Sequence, residues 1–271
     1  MFRPNRLKTR LAAGDKLLGT WLQSGSATFA EMAMIAGFDL FIMDQEHGMG
    51  DLQAAVDSMR AASAGETTMM VRVPTADPIY IRRLVDAGCE ALLAPMIETA
   101  DQARAVVAAC RFPPRGVRGL AVDIARAANF GFVDDYIARA DETILVSVQI
   151  ETPKAVENAR QIAAVDGVDL VFIGPNDLAA SLGFPGKTGA PQVEAAIARV
   201  IDAARAAGKP LATVPRAGRT WRQCFEDGFS MVALGSEIYF YRVASAALMT
   251  EWKAYRGDRA MRGGAGGGYS V

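Results

Sequence analysis

The 271-residue chain is predicted to fold as one (β/α)8 TIM barrel, an α/β architecture, and three observations carry the prediction. Eight short apolar runs recur along it, most of them separated by stretches with helical spacing of apolar residues. The runs are apolar throughout instead of alternating, which marks parallel strands covered on both faces. The rival is an open doubly wound sheet, but no G-x-G-x-x-G follows the first run. One domain suits the length, because such barrels run to about 250 residues.

Taken in order, the chain opens on a basic segment (Arg3, Arg6, Lys8, Arg10) that reads as a solvated start without the apolar stretch of a signal peptide. Strands are expected at 19–23, 40–43, 69–73, 91–95, 144–150, 170–173, 211–214 and 231–234. Helices are expected at 27–36, 52–62, 79–86, 100–110, 154–165, 192–207 and 220–227, several closing on a glycine suited to a C-cap: Gly37, Gly88, Gly208 and Gly228. The irregular segment 113–141 is long for a barrel loop; counted from the fourth strand, it is expected over the barrel mouth. The domain is expected to span 1–257. Residues 258–271, with the run Gly263 to Gly268, follow no strand and open no helix, and read as a flexible tail.

A net charge of −1 argues against a nucleic-acid partner, which calls for a basic excess to neutralise phosphates. No window is apolar for long enough to span a bilayer. Three widely spaced cysteines (Cys89, Cys110, Cys224) fit reduced thiols in a cytoplasmic protein and exclude a disulfide frame or a cysteine-rich zinc site.

Barrel chemistry sits at the C-terminal ends of the strands. Trp21 and Gln23 end the first strand, Asp44, Glu46 and His47 follow the second, and Arg72 lies near the end of the third. Glu98 follows the fourth, Gln149 and Glu151 end the fifth, and Asn176 and Asp177 follow the sixth. His47 is the one histidine. Alone it reads as structural or exposed, but an aspartate at the same strand end can hold an imidazole in one tautomer as a general base, which assigns Asp44 to it. One histidine also rules out a multi-histidine centre and leaves carboxylate, water and substrate oxygens, the donor set of Mg²⁺ or Mn²⁺. Glu151 and Asp177 end neighbouring strands, about 4.8 Å apart, so both could reach one cation. Each could equally cap or charge the helix that follows it, and the spacing does not choose. The turn Gly174-Pro175-Asn176-Asp177 aims backbone N–H groups outward, which suits a carboxylate ligand. Arg72 could clamp a carboxylate, stabilise an oxyanion, or pair with Asp44 or Glu46. Trp21 reads as a pocket wall.

These segments together resemble a known family. Gly19-Thr20-Trp21-Leu22, Met43-Asp44-Gln45-Glu46-His47, Val71-Arg72-Val73-Pro74, Pro95-Met96-Ile97-Glu98-Thr99, Gln149-Ile150-Glu151 and Phe172-Ile173-Gly174-Pro175-Asn176-Asp177-Leu178 are similar to the HpcH/HpaI aldolases, over residues 19–241. The resemblance implies a barrel of the phosphoenolpyruvate/pyruvate type. It also implies divalent-metal-dependent (class II) retro-aldol cleavage of a 4-hydroxy-2-oxo acid to pyruvate, or an analogue such as hydroxypyruvate, and an aldehyde. It makes Glu151 and Asp177 the metal ligands, for Mg²⁺ or Mn²⁺ with Co²⁺ or Zn²⁺ as further options. It makes Arg72 the enolate contact, His47 with Asp44 the acid–base dyad, the Asn176 and Asp177 backbone the pyruvate cradle, and Gln149 a neighbour of the metal. It implies a homohexamer, a trimer of dimers exchanging a C-terminal helix at about 236–255. Two segments depart from the family pattern, Leu120-Ala121-Val122-Asp123 after Arg118-Gly119, and Thr213-Val214-Pro215-Arg216; both are expected to face the aldehyde half. The rivals are a CoA-ester lyase of the citrate-lyase-like type, for which Arg111, Arg115 and Arg118 would serve the CoA phosphates, and a non-catalytic pyruvate-binding barrel.

Overall fold

The computed structural model describes residues 2–256, so the expected Gly-rich tail lies outside the described residues. Eight strands close in sequence order into an all-parallel barrel, β1 (Leu17–Leu22), β2 (Leu40–Asp44), β3 (Thr68–Arg72), β4 (Ala91–Ala94), β5 (Leu145–Ile150), β6 (Leu170–Ile173), β7 (Leu211–Thr213) and β8 (Met231–Ser236), with β1 pairing back to β8. The helices are α1 (Arg6–Ala12), α2 (Ala27–Ile35), α3 (Leu52–Ala62), α4 (Pro78–Asp86), α5 (Ala100–Cys110), α6 (Tyr136–Thr143), α7 (Pro153–Glu157), α8 (Ala159–Ala163), α9 (Pro175–Ser181), α10 (Pro191–Ala206), α11 (Trp221–Glu226) and α12 (Glu237–Tyr255).

Strand parity builds two layers, because successive side chains point to opposite faces. Leu17, Leu40, Ile42, Met70, Leu93, Leu145 and Phe172 fill the barrel interior, while Phe41, Met43, Val71, Leu92, Val146 and Val148 pack outward under the helices. Continuing the inward parity toward the C-terminal ends brings Trp21, Asp44, Arg72 and Gln149 to the top of the interior. At the opposite end Leu7 of α1 joins the interior cluster as its floor.

Three expectations change. The basic start is an ordered helix. The Asn5 side chain caps α1, Arg3 pairs with Glu90, Lys8 with Asp169, and Arg10 with both Asp15 and Asp39. One buried leucine and a half-buried one a turn later, Leu7 and Leu11, are too short a period to announce it. The helix expected at 154–165 is broken at Asn158, whose side chain donates to the Glu98 carbonyl at 2.8 Å. The segment 113–141 lies away from the barrel mouth and lines no part of the mouth cavity described below. It leaves α5, which returns the chain from the end of β4 to the N-terminal end, and there Tyr136 packs edge-on against Phe2 and Phe112.

The helix α12 has no buried residue along its length, and Tyr241, Leu248, Trp252 and Tyr255 are exposed. No helix among the described residues is long and apolar enough to cross a membrane.

Candidate active site

The pairing of β2 with β3 sets Asp44 directly beside Arg72. Asp44 is fully buried, and its carboxylate accepts Arg72 Nε at 3.0 Å and Nη2 at 2.7 Å, a bidentate fork. It also accepts the backbone N–H groups of Glu46 and His47, each at 3.1 Å, which turns the chain sharply out of the strand. Burial pushes the Asp44 carboxyl up, but Arg72 and the two N–H groups outweigh it and hold it below the usual carboxylate range. Arg72 Nη1 reaches Glu46 at 3.1 Å, and the flat guanidinium lies 4.6 Å from the Trp21 ring centroid. Trp21 in turn meets Phe172 edge-on at 6.0 Å. Burial raises the Glu46 carboxyl, against the pull of Arg72 and His47.

This arrangement revises the expected Asp44–His47 dyad. Asp44 touches the backbone of His47 and leaves the imidazole alone, because Arg72 on the adjacent strand takes up its carboxylate. The carboxylate beside the imidazole is Glu46, with Oε2 at 3.9 Å from Nε2, and the His47 side chain is largely exposed at the rim.

Glu151 follows β5 and is buried. It does not cap α7: Thr152 is the N-cap and accepts the Ala155 N–H. The Glu151 carboxylate instead accepts the Met96 N–H at 2.8 Å and the Gln149 side-chain amide. Met96 makes that contact from a left-handed backbone, φ 56°, which is strained for a residue with a side chain. Burial pushes the Glu151 carboxyl up to about 7; the Met96 N–H and the Gln149 amide oppose the shift, and the nearby Asp177 and Glu46 carboxylates add to it. Gln149 Oε1 is buried without a hydrogen-bond partner. Gly174, just after β6, makes room for this cluster, since a Cβ there would stand 2.6 Å from Glu151 Oε2.

Asp177 sits in the first turn of α9, exposed, where the helix dipole favours a carboxylate. Among the described residues, no three His, Cys, Asp or Glu side chains gather closely enough to hold a metal unaided. Two carboxylates and an orphaned amide oxygen nevertheless form an all-oxygen donor set, which fits a hard cation completed by substrate and water.

Trp21, His47, Arg72, Gln149, Asn176 and Asp177 line one side of a cavity of about 490 Å³, and Asp44, Glu46 and Glu151 stand behind that lining, in contact with Arg72 and Gln149. Its other side is Val214, Pro215, Leu234 and the first turns of α12, through Ile238, Tyr239, Phe240 and Arg242. Of the two segments expected at the aldehyde half, Val214 and Pro215 reach the cavity, whereas Arg216 is buried against Glu194. Arg118 is buried too, paired with Asp86 and Tyr136, and Leu120 to Asp123 do not line the cavity. Arg111 pairs with Asp141 and Asp166, and Arg115 with Asp141, so the patch suggested for CoA phosphates is already neutralised at the far end of the barrel. Glu98 binds Thr152 and Lys154 and ties two loops together outside the cavity. No lysine lines the cavity.

Sequence reasoning missed the Met96 N–H and the contribution of α12. A left-handed methionine leaves no mark in a sequence. The first turns of α12 follow β8 at the same rim, so extending the strand-end argument past β6 would have found them.

A family model for HpcH/HpaI aldolase/citrate lyase matches residues 17–244. The hydroxypyruvate/pyruvate aldolase of Agrobacterium fabrum is 39% identical over 264 residues, covering 96% of this chain and 98% of that protein. The 5-keto-4-deoxy-D-glucarate aldolase of Klebsiella pneumoniae subsp. pneumoniae is 38% identical over 250 residues, covering 92% and 97%. The crystal structure of an HpcH/HpaI aldolase/citrate lyase family protein from Burkholderia cenocepacia J2315 superposes with a TM-score of 0.87 at 37% identity, covering 92% of this chain and 99% of that one.

Proposed function

The chain belongs to the HpcH/HpaI aldolase/citrate lyase family, and from that premise we propose a divalent-metal-dependent aldolase that reversibly cleaves a 4-hydroxy-2-oxo acid into pyruvate, or hydroxypyruvate, and an aldehyde. The observation that carries the metal is Glu151. A buried carboxylate pushed up to about 7, accepting only neutral donors and flanked by Asp177 and by the orphaned Gln149 Oε1, is stabilised by a cation at that spot. Glu151 and Asp177 would hold Mg²⁺ or Mn²⁺, with Co²⁺ or Zn²⁺ as substitutes, and the ion would supply Lewis-acid polarisation of the 2-oxo group.

The remaining work falls to side chains. The N–H groups at the start of α9, around Asn176 and Asp177, receive the substrate carboxylate. Trp21 and Phe172 wall the cavity and fix the face on which Arg72 is presented. His47 takes the C4 hydroxyl proton as the C3–C4 bond breaks, and Glu46 beside it stabilises the imidazolium. The electron pair of that bond passes into the pyruvate enolate, whose oxygen faces the Arg72 guanidinium, and Asp44 holds that guanidinium in place. The proton returns from His47 in the synthetic direction. No lysine is placed for a Schiff base, so a covalent imine route is disfavoured.

The exposed apolar face of α12 supports exchange of this helix between subunits of a homohexamer, a trimer of dimers, and the buried free thiols support a cytoplasmic enzyme. The test is an aldol-cleavage screen over 4-hydroxy-2-oxo acids with Mg²⁺, Mn²⁺ and Co²⁺, lactate dehydrogenase reporting pyruvate. Release of pyruvate that needs a cation supports the reading; pyruvate release undiminished in EDTA overturns the metal.

A further inference from the structure

The turn that carries Met96 is held from both sides. Toward α5, Gln102 Oε1 accepts the Glu98 and Thr99 N–H groups at 2.7 and 3.0 Å. Toward β5, the Ile97 N–H reaches the Gln149 carbonyl at 3.3 Å. The Glu98 carboxylate accepts Thr152 Oγ1 at 2.9 Å and Lys154 Nζ at 3.0 Å, just past Glu151. Last, Asn158 Nδ2 donates to the Glu98 carbonyl at 2.8 Å. An asparagine at the start of a helix ordinarily accepts N–H groups of that helix, but Asn158, at the N-cap position of α8, makes no such bond and turns its amide outward to Glu98. Met96 needs such fastening. Its backbone is left-handed at φ 56°, a region that a residue with a Cβ rarely enters, and its exposed side chain gives it little packing to stay there.

The geometry points to Asn158 as a positioning residue for the cation: by anchoring the Glu98 carbonyl it keeps Met96 left-handed, and so keeps the Met96 N–H on Glu151 Oε1. That N–H fixes one oxygen of the carboxylate and favours its ionised form, the form that ligates a hard cation. Without the anchor, a methionine leaves the left-handed region for the far larger right-handed and extended ones, and its N–H turns off Glu151. This inference rests on the metal reading of Glu151 and Asp177.

The experiment titrates Mn²⁺ calorimetrically into wild type, Asn158→Ala, Asn158→Leu, Met96→Gly and the double variant Met96→Gly/Asn158→Ala, each first shown to melt cooperatively. Asn158→Ala should weaken Mn²⁺ binding about 10-fold, at the lower end of what losing an outer-shell partner costs. Asn158→Leu keeps the shape without the donor and is the better helix former, so it should show the same fall and decides the matter if Asn158→Ala does not fold. Glycine enters the left-handed region about as readily as the right-handed one. In the Met96→Gly background, with Met96→Gly alone as reference, Asn158→Ala should therefore weaken Mn²⁺ binding only about 2-fold. An affinity unchanged in the Asn158 variants overturns the role of Asn158 and leaves the metal reading standing. An equal fall in both backgrounds does the same, because a residue that merely packs α7 against α8 is indifferent to position 96. A wild type that binds no Mn²⁺ overturns the metal reading and this inference with it.

Discussion

Glu151→Gln should make the cation-free protein more stable above neutral pH while abolishing its stabilisation by cation. The Glu151 carboxyl moves from an ordinary 4.5 to about 7 on folding. Over that window the folded protein binds more protons than the unfolded chain, so this group lowers stability progressively as pH rises from about 4.5 to about 7, and the loss is complete above. At about 1.4 kcal/mol per pH unit the full penalty is about 3 kcal/mol, of which about 2.5 kcal/mol accrues between pH 5 and pH 8. The introduced amide oxygen can accept the Met96 N–H, and Gln149 can turn over to offer its Oε1 to the introduced NH₂, which exchanges an unpartnered amide oxygen for an unpartnered amide NH₂ and leaves a neutral group in place of a buried carboxylate. Urea denaturation in EDTA at about pH 5 and pH 8 measures the effect. Wild type should lose about 2.5 kcal/mol more than Glu151→Gln across that interval. Mn²⁺ at about 100 times its dissociation constant should restore about 2.7 kcal/mol to wild type alone. Parallel pH profiles for the two proteins, or equal stabilisation by Mn²⁺, would refute the reasoning.

Further outcomes follow from the same geometry. EDTA should abolish turnover, and borohydride with pyruvate should leave it intact; mass spectrometry showing a reduced pyruvyl adduct would instead reveal an unrecognised Schiff-base lysine. His47→Ala should cut turnover by about 10²–10⁴-fold, the range of a positioned acid–base group, while pyruvate still protects the protein in a thermal shift assay. Gly174→Ala drives a methyl into Glu151 Oε2, so cation affinity measured by calorimetry should fall even though α9 remains formed. Arg72→Ala strands the buried Asp44 carboxylate and should cost about 3–5 kcal/mol by urea denaturation, an effect that a purely substrate-facing arginine would not produce.

The barrel was legible because parallel strands buried on both faces leave unbroken apolar runs, and all eight runs became strands with ends shifted by a residue or two. What failed was placement beyond the strands. The segment 113–141 was counted from a strand, although the intervening α5 carries the chain to the other end. The helix α1 was hard to see because only Leu7 is fully buried and Leu11, one turn on, is half-buried, among four basic residues at the start of the chain. At the site, strand-end position was enough to bring Trp21, Asp44, Arg72, Gln149 and Glu151 to one rim. Pairing was not legible: Asp44 could have served His47 or Arg72, and only the β2–β3 register puts the guanidinium at its side. Likewise Thr152, one residue along, took the capping role that the sequence left open for Glu151.

The placement of Asp44 opposite Arg72 also bears on how the barrel aligns itself as it folds. Apolar runs such as Leu40 to Met43 and Met69 to Val71 are nearly interchangeable along their length, so hydrophobicity alone distinguishes poorly between neighbouring alignments of β2 on β3. The charged pair breaks that degeneracy. A shift of one residue turns a carboxylate or a guanidinium out of the interior and into the apolar layer beneath the helices, unpaired, at a cost of several kcal/mol. Asp44 and Arg72 therefore act as an alignment mark for the first half of the barrel, and a misaligned chain would be penalised before it ever met a substrate.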